Sequence, residues 1–382
     1  MALAACSPPP LPQDAYVWQR VWTPAVGAAL AGSARVIGGW RVLAAELDGR
    51  GAWSDTKADL PALAAAGKPV TMVLRIEGQL ARWDEAALRR ATLVLLGRWR
   101  AAGVPVAAVE IDHDCGTARL AAYAAFLSAL RGDLPGDVRL SLTALPAWLG
   151  AAALPGLLAS VDEAVLQVHA VADPAGGLFE PRRARAWMDA FDRVMGRPWR
   201  VALPAYGSRV VWDERGRIVA VDSERPSLVG GSGARELIAR PEEMAVFLSG
   251  LDRDRPAHLA GVAWFRLPTG DDRRAWSLPT WIAVTGRQPL RPHLTAAART
   301  GETPGLYDVL LTSDGTSDAA LPAAIRVAGH CEAADGINGF SVDRETAGLV
   351  LRRTHDGLLP PGRVINVGWL RCAAAAPAMV VE

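Results

Sequence analysis

The feature that most constrains this chain is a series of eight short apolar runs, most of them separated by stretches with helical spacing. They cover residues 16–22, 40–47, 70–77, 106–115, 138–145, 163–169, 200–206 and 261–267. A brief, continuous apolar run reads as a strand buried on both faces, and strands that alternate with helices pair in parallel. Some of the intervening helices announce themselves. Residues 59–67 end on a glycine stop, and 117–131 place Leu120, Tyr123, Phe126, Leu127 and Leu130 on one helical face. Eight strands with crossovers over about 270 residues are what a closed (β/α)8 barrel requires.

A barrel gives the polar residues an address. Its working face lies at the carboxyl ends of the strands. There the runs repeatedly turn polar or aromatic, at Glu46, Arg75, Glu77, Asp112, Asp114, Thr143, Gln167, His169, Tyr206, Trp264 and Arg266. Packing alone would not demand apolar starts and polar ends.

The fourth run, Val106-Ala-Ala-Val-Glu-Ile-Asp-His-Asp-Cys115, carries three acids at every second position. Side chains alternate across a strand, so Glu110, Asp112 and Asp114 share one face, with Ile111 and His113 on the other. Carboxylates that close repel, and at least one is expected to have a raised pKa, which suits proton transfer near neutral pH. Each role has a plainer rival. Asp114 as proton donor competes with capping of the helix entered near Thr117, and Asp112 as its partner competes with an ion pair to Arg75. Glu77 is either the second carboxylate of a two-acid site or an arginine's salt partner. Glu110 is either a contact to substrate or tied by an arginine inside the fold. Glu46, Arg75, Gln167, His169 and Arg266 are candidate substrate contacts. Tyr206 and Trp264 read as a platform for a sugar ring or as core. A lone histidine does not make a zinc site, so no metal or other cofactor is expected.

The acidic run resembles the strand-four motif Asp-Gly-x-Asp-x-Asp-x-Glu of family 18 glycoside hydrolases, the chitinase-like barrels. Laid on that motif, Glu110 and Asp112 fall on the two preceding acids and Asp114 on the acid that protonates the glycosidic oxygen. Asp114 is one methylene shorter than the glutamate of the motif, and the motif's glycine spacing is absent. Trp264 resembles the tryptophan that floors the family's sugar site, and Gln167 and His169 fall where the family has polar sugar contacts. Over nearly the whole length, the chain is more closely similar to a bacterial family known as domain of unknown function 3142. The features that carry this are Asp112-x-Asp114, the following Tyr-x-x-Phe-Leu helix, Leu142-Thr-Ala-Leu-Pro-Ala-Trp148 and Gly368-Trp-Leu-Arg-Cys372. The resemblance implies a glycosidase-type barrel acting on a polysaccharide by general acid/base chemistry, or a barrel that binds a glycan without cleaving it.

Leu3-Ala-Ala-Cys6 resembles a lipobox, with the Pro-rich stretch to Pro12 as a tether. Because no basic segment and long apolar core precede it, this reading needs a start upstream of Met1. It expects an exported lipoprotein of the periplasm or outer membrane, held to the membrane by lipid on Cys6. Net charge is +1, the only lysines are Lys57 and Lys68, and no basic run occurs, which excludes a general nucleic-acid binder. Between 206 and 240 lies an insert that reads as a hairpin over 210–222, turning at Asp213-Glu-Arg-Gly216, followed by a glycine-rich lip at Gly230-Gly-Ser-Gly233. Past about residue 290, short alternating strands split by Gly, Asp and Pro turns point to a small β-sandwich, with Cys331 and Cys372 placed to staple it. The expected organisation is a 1–13 tether, a 14–290 barrel and a 291–382 sandwich.

Overall fold

In a computed structural model the described residues are 9–80, 82–169, 177–222, 233–272, 274–301, 303–346, 348–373 and 376–382. Cys6 and most of the glycine-rich lip lie outside them. The chain divides into two compact units, Met1–Ala205 with Glu243–Arg273, and Tyr206–Glu242 with Arg274–Glu382.

The first unit is a closed barrel of eight parallel strands. These are β1 Gln13–Val17, β2 Gly39–Leu47, β3 Val70–Ile76, β4 Val106–Asp112, β5 Arg139–Ala144, β6 Glu163–Gln167, β7 Trp199–Pro204 and β8 Leu259–Phe265. Each pairs in parallel with the next, and β1 closes the ring by pairing with both β2 and β8. The first strand starts three residues earlier than its apolar run suggested and ends at Val17, leaving Trp18 to Trp22 beyond the ladder. Helices alternate with the strands from α1 (Pro24–Ser33) onward, and capping chemistry sets the start of some of them. Asp59 accepts from the Ala62 amide at the head of α2 (Leu60–Ala66), and Asp84 from the Ala87 amide at the head of α3 (Glu85–Ala101). Gly67 ends α2 at φ 62°, a left-handed conformation that suits glycine.

The barrel interior is part apolar and part ionic. Tyr16, Trp18, Leu43, Val73, Val165, Ala202 and Ala263 form one apolar cluster, with Phe265 packed against it. Below it Arg41, only 2% exposed, reaches Glu110 through Nη1, Glu163 through Nη2 and Asp14 through Nε at 3.3 Å. Arg200 adds contacts to Glu163 at 3.2 Å and Asp14 at 3.5 Å. Gly261 makes room for it, since a Cβ there would stand 2.2 Å from Arg200 Nη1. Burial works against the Arg41 charge, but the surrounding carboxylates outweigh it and hold the guanidinium protonated. Glu163 is also opposed by burial, yet Arg41 and Arg200 bring it down to about 2.

Among the described residues the second unit is all-β apart from the helix Leu278–Thr285. A three-stranded antiparallel sheet has Gly207–Trp212 at its centre, flanked by Ile218–Asp222 and Gly233–Ile238. The first pair is the hairpin expected from the sequence. Two four-stranded antiparallel sheets follow, and Val309, Leu311, Ile325, Leu351, Val367 and Leu370 fill their common core. The strands Leu294–Thr300, Cys331–Gly336 and Met379–Val381 were not apparent as apolar runs. In Leu294–Thr300 and Cys331–Gly336, half-buried and exposed residues dominate, so hydrophobicity marks them poorly. Cys331 and Cys372 face each other in register and are disulfide-bonded.

Two outcomes test this architecture. Arg41→Met leaves Glu110 without its cation inside the barrel and Glu163 with Arg200 as its nearest cation, and should cost about 3 to 5 kcal/mol in urea unfolding. The Glu163 contribution is present above its unfolded value of 4.5 and is lost as pH falls towards about 2, so acid titration of stability should show a loss in that window which Glu163→Gln removes.

Candidate active site

The acidic strand emerges from the interior in three steps. Glu110 is sealed, with no exposure. It accepts from Tyr16 Oη at 2.7 Å and Ser141 Oγ at 2.9 Å, besides pairing with Arg41. Burial pushes its carboxyl up, and Arg41 only partly counters this. The expectation that Glu110 touches substrate is therefore corrected: it is a core ion-pair partner, satisfied on every side. Asp112, two residues on, is 4% exposed and accepts from Thr143 Oγ1 at 2.6 Å, with Arg75 Nη1 at 3.9 Å. Asp114 lies past the last ladder residue and is exposed.

Asp112 and Asp114 line a cavity of about 600 Å³ together with Arg75, Glu77, Gly78 and Arg119. Protein on the cavity side of Asp114 strips hydration from its carboxyl, and the Asp112 charge and the Glu77 charge add to this. Arg75 opposes, and the net effect raises the group to about 7. Although the residue as a whole is open to solvent, the crowded side decides the direction. No competing capping role exists, because the short helix at Thr117–Arg119 starts from Gly116 without a side-chain cap. Asp114 is thus an accessible acid that retains its proton to near neutrality. Glu77, one residue past the end of β3, is half-buried on the wall of the same cavity.

Two residues that the sequence did not single out shape this cavity. Gly78 packs so tightly on the chain at Asp114 that a Cβ would come within 2.4 Å of the Asp114 carbonyl oxygen. Arg119 donates from Nη1 to Leu80 O at 2.8 Å and Gly78 O at 3.4 Å, tying that same loop. Neither carries a pattern signal, since both act through the backbone of a residue distant in sequence. Trp18 continues the inward-facing alternation of Asp14 and Tyr16 past the end of β1 and joins the apolar cluster. Its ring stands 5.2 Å from Phe265, with the Arg75 guanidinium 6.0 Å away.

Other expected contacts are placed differently. Trp264 is fully buried and donates from Nε1 to Gln13 at 2.5 Å, so it cannot floor a sugar site; alternation turns it away from the interior and brings Phe265 in. Phe265 stacks on His169 at 5.6 Å. His169 is itself buried, with Nδ1 3.4 Å from Ala202 O, and burial lowers it to about 4, which leaves the imidazole neutral. Glu46 is held by Arg20 through two contacts of 2.6 Å, and Arg266 by Asp272 at 2.9 and 2.5 Å, so both are engaged within the protein rather than presented to a ligand. Gln167 is half-buried at the end of β6. Tyr206 belongs to the second unit, where it bridges to Ala275. Trp40, Trp148 and Trp276 are buried as well.

Gly78→Ala should therefore cost about 1 to 3 kcal/mol in urea unfolding by forcing the two chain segments apart. Gly49→Ala is the control, because its Cβ would meet only Glu77 Cγ at an ordinary 3.6 Å. An equal, negligible cost at both positions would contradict the close approach.

Comparison with known proteins agrees with the barrel fold. No curated protein matches the chain. Among solved structures, a chitinase from Bacteroides thetaiotaomicron is similar at 12% identity and a TM-score of 0.52, over 73% of this chain and 96% of that one. A chitinase from Chromobacterium violaceum ATCC 12472 is similar at 14% identity and a TM-score of 0.50, over 72% and 98%. At these identities the likeness establishes a common, glycoside-hydrolase-like fold. Residues 296–373 match a second family model, domain of unknown function DUF8456. Residues 66–270, more than half of the chain and including the acidic strand, match the model of domain of unknown function DUF3142, and the chain belongs to that family.

Proposed function

We propose that the protein is a glycoside hydrolase acting on a polysaccharide, with Asp114 as the general acid. The observation that carries this is an accessible carboxyl, raised to about 7, in an open cavity beyond the carboxyl end of β4 with two further acids on its walls. Cleavage of a glycosidic bond usually takes one acid to protonate the departing oxygen and a second carboxylate as nucleophile or base. Asp114 supplies the proton and Glu77 the second carboxylate. Asp112, held by the Thr143 hydroxyl, keeps the Asp114 proton in place through its charge. A cavity of about 600 Å³ has room for a sugar ring and its neighbour.

The same reading takes the protein as exported and anchored through lipid on Cys6, in the periplasm or outer membrane. It is supported by the lipobox-like Leu3-Ala-Ala-Cys6 and by the Cys331–Cys372 disulfide, since such bonds persist in oxidising compartments.

Release of reducing sugar from a panel of polysaccharides tests the activity. Asp114→Asn should lower the rate at least about 100-fold while leaving the fold intact. Equal release by both proteins would remove Asp114 from the mechanism. Because the protonated form is the active one, kcat/KM for wild type should fall as pH rises through about 7.

A further inference from the structure

The face of β4 turned away from the barrel interior carries buried rings that the proposed chemistry does not use, and they surround the backbone at Asp114. The β3–β4 ladder ends at the pair Arg75–Asp112. One step further the His113 imidazole continues the link, with Nδ1 donating to Ile76 O at 3.2 Å. That bond joins the residue before Asp114 to the residue before Glu77. The Cys115 amide then donates to His113 O at 2.8 Å, which makes a three-residue turn with Asp114 at its apex. Past the turn, Trp148 Nε1 donates to Cys115 O at 2.8 Å. Both chain neighbours of Asp114 are thus pinned, one by its own imidazole and the other by an indole, and both rings are buried.

The rings also hold one another. His113 meets Trp83 at 5.1 Å and Tyr123 at 5.2 Å, edge to face in each case, and Tyr123 meets Trp148 at 6.3 Å. Such pairs fix ring orientation as well as burying area. Tyr123, on the helix Leu120–Asp133, donates from Oη to Ile111 O at 3.1 Å, a further tie to β4. Tyr123 and Trp148 stand in two of the stretches that carry the family resemblance, so this cluster gives those stretches a common physical task. Burial lowers the His113 imidazole and outweighs the Ile76 carbonyl and the Asp112 charge, which favour the protonated ring. A neutral ring that donates from Nδ1 keeps its tie to β3 across neutral pH.

We propose that His113 and Trp148 are positioning residues for the proton donor: they fix the backbone on either side of Asp114 and so set where its carboxyl stands relative to Asp112 and Glu77. The consequence for rate rests on Asp114 as the general acid, whereas the placement itself can be measured without substrate. Displacing a reacting group by about 1 Å can cost about 100-fold in rate.

His113→Phe and Trp148→Phe each keep a ring and remove the N–H donor, while His113→Asn keeps an N–H on the same Cγ. The full chain of each variant, shown folded by its thermal melt, is followed by carbon-13 NMR titration of Asp114 and by release of reducing sugar. In both phenylalanine variants the carboxyl gains water and distance from its acidic neighbours. Its midpoint should therefore fall by about one unit or more from about 7. The same variants should lose at least about tenfold in kcat with KM changed by less than about twofold, and His113→Asn should recover most of both losses. A midpoint unmoved in both phenylalanine variants would overturn the proposal. So would a His113→Asn protein that titrates like His113→Phe. If wild type releases no sugar the hydrolase reading fails, and the Asp114 midpoints still decide the positioning role.

Discussion

The guanidinium of Arg41 inside the barrel is the interaction on which the rest depends. A strand that carries acids at every second position cannot pass through a low-dielectric interior unless a cation meets the first of them. Arg41 meets Glu110 and Glu163 together, and Arg200 extends the neutralisation to Asp14. The interior thereby holds an ionic layer beneath an apolar one. A buried ion pair adds little net stability compared with an apolar substitute, but removing one partner is costly, which makes such a layer a strict determinant of which residue may face inward.

That layer sets a gradient along β4. Glu110 is spent on the fold, Asp112 is engaged by Thr143 and sits near Arg75, and Asp114 stands where solvent enters. The same residue type therefore does different work at positions two residues apart. Its chemistry is set by hydration and neighbouring charge rather than by sequence identity. The tight contact between Gly78 and the Asp114 carbonyl, with Arg119 tying the same loop, fixes where the gradient ends.

Much of the barrel was legible because strand burial on both faces leaves a strong signal. All eight strands fell within a few residues of their apolar runs. The shared face of Glu110, Asp112 and Asp114 was also legible, since alternation is a property of the backbone. Depth along the strand was not, because it depends on partners from other strands, such as Arg41 and Tyr16. Trp264 shows a second limit. Its position at a strand end suggested a platform, but a one-residue change of face turns a tryptophan from cavity to wall and brings Phe265 in instead. Gly78 and Arg119 show a third, for a close backbone approach leaves no periodicity in sequence.

Function rests on a carboxyl at the barrel mouth that keeps its proton near neutrality while remaining reachable by substrate. Carbon-13 NMR titration of the Asp114 side chain, assigned by comparison with Asp114→Asn, measures this without any substrate. The midpoint should lie near 7 and move downward when Asp112 is changed to Asn. A midpoint near 4 in the wild-type protein, insensitive to Asp112, would contradict it.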